Sequence, residues 1–169
     1  EDPKSSLTLD TYYKTSADII GNVNYLYRDG APDKMGNMTG AYRGSSLSVM
    51  NMVTGYFVNE YEGQEVDCSY ARQLTRQDFT QSCCNYLTND TWKSCYKSIN
   101  VANAVIKYVD GVEMDNQAQY KAEARFFRAL NYFYLVKMFG DVPMVTEPTE
   151  DATLVEYPTR TAASEVFNT

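Results

Sequence analysis

The sequence predicts an all-α fold of antiparallel helix pairs with one long irregular loop segment. Apolar residues recur at helical spacing in several separate stretches, capping residues and glycines bracket those stretches, and strand-like alternation is scarce. With 169 residues, 44% of them hydrophobic, the chain is long enough to bury a core as a single domain.

Thr15 followed by Asp18 forms a capping box, and Ile19, Ile20, Val23, Leu26 and Tyr27 then share one side of a helix over 16 to 29 that Gly30 can end. Residues 30 to 44 hold four Gly and one Pro and read as a loop. From Ser45 to Phe57 the apolar residues mix the helical and strand periods, and the stretch is read as helix. Residues 59 to 91 have no sustained period and read as a long, partly structured excursion, the kind of segment in which function is sought first.

Asp90 or Thr91 can then cap a helix whose stripe is Trp92, Cys95, Tyr96, Ile99, Ala102, Ile106 and Val109, ended by Asp110 and Gly111. After a polar spacer through Asn116 comes a second helix over 117 to 138, closed by Gly140 with Pro143 beyond, antiparallel to the first. It is apolar around most of its circumference and is expected to be central. Only Val142 to Val145 can extend. Residues 157 to 161 lead into a last helix carrying Ala162, Ala163, Val166 and Phe167, which begins two turns before the chain stops and so suggests further sequence.

Composition excludes several functions. The formal charge of −7 lacks the basic footprint that nucleic acid or an anionic membrane surface requires. The absence of His removes the usual metal ligand and neutral-pH base, and with them Ser-His and Cys-His catalysis. No apolar run approaches the roughly 20 residues of a membrane-spanning helix. Cys68, Cys83, Cys84 and Cys95 fit no zinc spacing. In an exported protein Cys68 can pair with Cys83 or Cys84, and in a reducing compartment all four stay thiols.

The run YKAEARFFRALNYFYLVKMFGDVP over residues 120–143 closely resembles the signature helix and turn of the SusD/RagB family. The order around it also fits: an amphipathic helix ending in Leu26 and Tyr27, then WKSCYKSINVAN over residues 92–103, then the signature, then Pro158 to Arg160 opening another helix. The resemblance covers residues 8 to 167. It implies tetratricopeptide-like helix pairs, and it makes residues 1–169 the amino-terminal part of a longer SusD-like domain. Such proteins are surface-exposed outer-membrane lipoproteins of Bacteroidetes-type bacteria that bind oligosaccharides or polysaccharides, in some cases peptides, and cover a SusC-like TonB-dependent transporter without catalysing a reaction. An acylated cysteine normally anchors such proteins to the membrane, and since the sequence in hand starts at Glu1 that lipid anchor is expected upstream, outside this chain.

Within the signature, Glu123, Arg125 and Arg128 are read as half-buried ion pairs that fix helix packing. Asp141 completes the turn after Gly140 ahead of Pro143, and Trp92 is core before ligand platform. A glycan site needs exposed rings for the C–H faces of sugars and Asp, Asn or Arg for their hydroxyls. Segment 59 to 91 supplies that mixture in Tyr61, Asp67, Tyr70, Arg72, Asn85, Tyr86 and Asn89, and in the family this stretch often contributes to the ligand face. Glu60, Glu62, Glu65 and Asp67 match neither a calcium loop nor an identifiable glycosidase pair. The expectation is a nutrient-capture protein, glycan before peptide, with no catalytic residue, metal or cofactor. The alternatives are a peptide-binding RagB-like member and a helical-repeat scaffold for another protein.

Overall fold

The computed structural model describes residues 8–28, 51–56, 73–79, 82–150 and 158–168, with Asp10 and residues 82–90 described by their backbone alone. Described residues are mostly helical, as the sequence predicts. The chain divides into two compact units, residues 1–28 with 97–169, and residues 29–96.

In the first unit, α1 (Leu9–Tyr12) is a single turn whose entry is tied by the Thr8 N–H donating to Thr11 Oγ1 at 2.9 Å. The expected capping box opens α2 (Ser16–Arg28): Thr15 N–H and Oγ1 donate to Asp18 Oδ2 at 2.8 and 2.7 Å, and Asp18 N–H returns to Thr15 Oγ1 at 3.4 Å. The hydrogen bond from the Thr15 side chain holds the Asp18 carboxyl below its ordinary range. Ile19, Val23 and Leu26 bury one stripe, and α2 packs on α4 (Gln117–Phe139), with the Tyr27 and Phe127 rings edge to face at 4.6 Å.

Helix α3 (Ser82–Tyr108) begins about two turns before the expected cap at Asp90 or Thr91. Residues 82–90 contain neither Gly nor Pro, so nothing in them stops a helix whose later turns are held by packing, and their modest helix propensity is overridden. Of the expected stripe, Cys95, Ile99, Ala102 and Val109 are buried, while Trp92, Tyr96 and Ile106 are half-buried. The helix closes in a 3-10 turn (Val109–Gly111), which Gln117 Nε2 ties down by donating to Val109 O at 2.7 Å and Val112 O at 3.0 Å.

Asn116 caps α4 from the left-handed region, at φ 57°, a conformation Asn tolerates better than most residues. Lys121 pairs with Asp110, and Arg128 Nη1 donates to Asn103 Oδ1 at 3.0 Å. Seven residues back along α3 are matched by seven forward along α4, the register of an antiparallel pair. One face of α4 buries Ala124, Phe127, Asn131, Tyr132, Leu135 and Val136. The apolar circumference that made this helix look central is buried on that face only: Phe126 and Phe133 are 61% and 46% exposed, on a face that also carries Ala122 and Ala129.

Gly140, at φ 69°, ends α4 with its N–H on Val136 O at 2.9 Å. The short strand β1 (Val142–Pro143) pairs antiparallel with β2 (Arg160–Thr161), Val142 opposite Thr161 and Pro143 opposite Arg160. The chain then enters the expected last helix, α5 (Ala163–Phe167); that Arg160 and Thr161 pair as a strand just ahead of it was not expected from the sequence. In the second unit, Asn51 and Met52 are helical and lead into a turn over 53–56, the rest of the expected 45–57 helix and the 30–44 loop lying outside the described residues. Residues 73–75 form a helical turn with Leu74 buried, and Gln77 Nε2 donates to Val53 O at 3.2 Å.

Candidate functional site

The signature residues build a frame around the turn that follows α4. Between β1 and residue 150 the chain runs without regular structure, and α3 grips it along one stripe. Asn100 Oδ1 accepts the Thr149 N–H at 2.8 Å, and Asn103 Nδ2 donates to Val145 O at 3.0 Å and Glu147 O at 3.2 Å. Lys107 pairs with Glu150, whose Oε1 also accepts the Tyr108 hydroxyl at 2.9 Å. These bonds hold the Glu150 carboxyl below its ordinary range, the Lys107 hydrogen bond first. From α4 the Tyr132 hydroxyl donates to Val145 O at 2.9 Å and accepts its N–H at 2.6 Å. Burial pushes that phenol up.

Arg128 belongs to this frame through Asn103, a neutral partner. Lys107–Glu150 and Lys121–Asp110 are ion pairs of the first unit, whereas among the described residues Glu123 and Arg128 take neutral partners in place of the ion pairs expected of them. Glu123 Oε1 accepts Gln119 Nε2 at 2.9 Å and lies beside Tyr27, whose phenol is raised by desolvation and then by the Glu123 charge. Arg125 is exposed. Asp141 acts at longer range than a local turn: its Oδ1 accepts the Ala163 N–H of α5 at 2.9 Å, while its carbonyl accepts Arg160 Nη1 at 2.6 Å. The Trp92 ring is half-buried against Tyr96, with centroids 5.0 Å apart, and Cys95 is a buried thiol.

Of the ligand residues expected from the sequence, Tyr61, Asp67, Tyr70 and Arg72 lie outside the described residues, as does Cys68. Asn85, Tyr86 and Asn89 stand on the opening turns of α3, where a loop was expected; their side chains, and those of Cys83 and Cys84, also lie outside the description.

A feature missed in the sequence is an open depression of about 480 Å³ in the first unit, lined by Ser16 and Ile20 from α2, Glu113, Met114, Asp115 and Asn116 from the spacer, and Tyr120 from α4. Its signal is that the spacer, read only as polar, sets Met114 between two carboxylates six residues short of a tyrosine on the next helix. Among the described residues no group of three or more His, Cys, Asp or Glu gathers to hold a metal ion, and no helix is long and apolar enough to cross a membrane.

Comparison with known proteins places this frame. A SusD-like family model described as "Starch-binding associating with outer membrane" matches residues 30–169. SusD-like protein P25 of Formosa agariphila is 26% identical over 157 residues, covering 88% of this chain and 28% of the relative. SusD-like protein P2 of the same organism is 24% identical over 169 residues, covering 99% of this chain and 31% of the relative. The chain thus spans under a third of the length of these curated relatives. No solved structure matches significantly. With a family match across residues 30–169 that takes in both α3 and the whole signature helix and turn, the chain belongs to the SusD-like family.

Proposed function

We propose that residues 1–169 are the amino-terminal, tetratricopeptide-like part of a cell-surface glycan-binding protein, which captures oligosaccharide or polysaccharide at the outer membrane and passes it to a SusC-like TonB-dependent transporter. Binding is passive and no residue is catalytic. A lipid anchor outside these residues holds the protein to the membrane. The observation that carries the reading is the family match over residues 30–169, to a model whose description is starch binding in association with the outer membrane.

The chemistry of the chain agrees with it. Sugars are bound by rings that cover their C–H faces and by carboxylates, amides and guanidinium groups that satisfy their hydroxyls. Segment 59–91 is rich in those residue types. A chain with no His has no imidazole base for hydrolysis.

Affinity electrophoresis of the protein at its native length, through gels holding soluble starch or other polysaccharides, tests the reading. Retardation by at least one glycan, with no release of reducing ends, is expected. Retardation should disappear when Tyr61, Tyr70 and Tyr86 are replaced together by Ala in a protein that melts as the wild type does, while co-purification with the transporter survives. Free migration through every glycan gel would sink the proposal.

A further inference from the structure

We infer that the depression between the start of α2 and the start of α4 is a subsite for an uncharged sugar ring. The inference rests on the glycan-binding reading and adds a place and a charge class to it. The volume, about 480 Å³, falls within the range of small-ligand sites. Its lining has two characters. Ile20, Met114 and the Tyr120 ring are apolar or aromatic, while Glu113, Asp115, Asn116 and Ser16 bring two carboxylates, an amide and a hydroxyl. Among the described residues none of these four polar side chains forms a hydrogen bond or ion pair with another protein group, in contrast to the polar side chains of the frame.

A pyranose has the same division. Its C–H face packs against a tyrosine ring or a thioether, and its hydroxyls donate to carboxylates and exchange hydrogen bonds with an amide. Carboxylates accept and never donate, so the ligand must bring the donors, as a polyol does and a carboxylate or sulfate does not. Charge sharpens the choice. Among the described residues no cationic side chain lines the depression, and the nearby Lys121 is committed to Asp110, so an acidic sugar meets two negative charges with no described cation to offset them. A metal ion fits less well. It would leave the apolar half of the lining unused, and among the described residues no third carboxylate joins the two.

Affinity electrophoresis tests the subsite on the native-length protein, with soluble starch, mixed-linkage glucan and galactomannan as neutral probes and carboxymethyl starch as the acidic one. Tyr120→Ala should weaken retardation by the binding neutral glycan about fivefold in apparent affinity, and Tyr120→Phe should keep it within about twofold, because the ring and not the hydroxyl supplies the contact. Carboxymethyl starch should retard the wild type less than a neutral glycan does. The Glu113→Gln/Asp115→Asn variant, altered only at exposed positions, should narrow that gap, and it carries the test alone if Tyr120→Ala does not fold. Equal retardation of wild type and all variants by a neutral glycan would overturn the subsite and leave glycan binding standing. Retardation by the acidic polymer only would also overturn it. Free migration of the wild type in every gel would remove the glycan reading and the subsite together.

Discussion

Asn103 is 1% exposed and meets three groups at once: it donates to two carbonyls of the chain after β1 and accepts from Arg128. Truncation to Ala takes a partner from a half-buried guanidinium and from two carbonyls and leaves a hole at a buried position, so Asn103→Ala should cost about 1–3 kcal/mol in urea unfolding, with an unchanged m-value. Tyr13 makes a residue-scale statement about pH. It is 6% exposed and stacked on Tyr108 with centroids 5.3 Å apart, and its phenol is pushed up to about 12 by burial first and then by the charges of Tyr12 and Asp18. The native state favours the neutral phenol, so its contribution to stability is fully present below the unfolded value near 10 and is lost as pH rises from there through about 12. Tyr13→Phe should flatten the loss of melting temperature over that interval, and an equally steep loss in the variant would place the titration elsewhere.

At the scale of elements, boundaries written in local chemistry could be read in advance and those set by distant partners could not. Helix α2 starts where Thr15 and Asp18 put it and α4 ends at Gly140, because capping is settled within a few residues. Residues 158–161 lead into α5 as their sequence suggests, but the pairing of Arg160 and Thr161 with Pro143 and Val142 is a partnership invisible within a short window. Asn100 and Asn103 are unremarkable polar residues in α3 until chain more than 40 residues away lies across them. Helix α4 carries the same lesson on its two faces, both apolar in sequence. Leu135 is fully buried and its change to Ala should cost about 2–5 kcal/mol, whereas Phe126→Ala, at 61% exposure, should stay within about 1 kcal/mol. Thermal unfolding distinguishes them, and equal losses would mean that the exposed face is covered in solution.

For the whole molecule, fold class was readable because helical periods with caps and closing glycines recur along the chain, and family because a 24-residue signature stands in one stretch of it. The ligand side was readable only as composition. Rings, amides and carboxylates without a period say which ligand chemistry suits a segment but not which side chains converge, and the depression beside Tyr120 escaped notice because its lining comes from α2, a spacer and α4.

The frame around the turn after α4 also leaves a mark in time. Val145 and Thr149 lie in chain without helix or strand, where amides ordinarily exchange with solvent quickly. Here the Val145 N–H is held by the Tyr132 hydroxyl and the Thr149 N–H by Asn100 Oδ1. Deuterium exchange should thus find two slow amides in an otherwise fast stretch, and Asn100→Ala should release Thr149 while Val145 stays slow. The irregular segment after β1 would then open at the rate of the helices that grip it, as part of their cooperative unit and not as a loop.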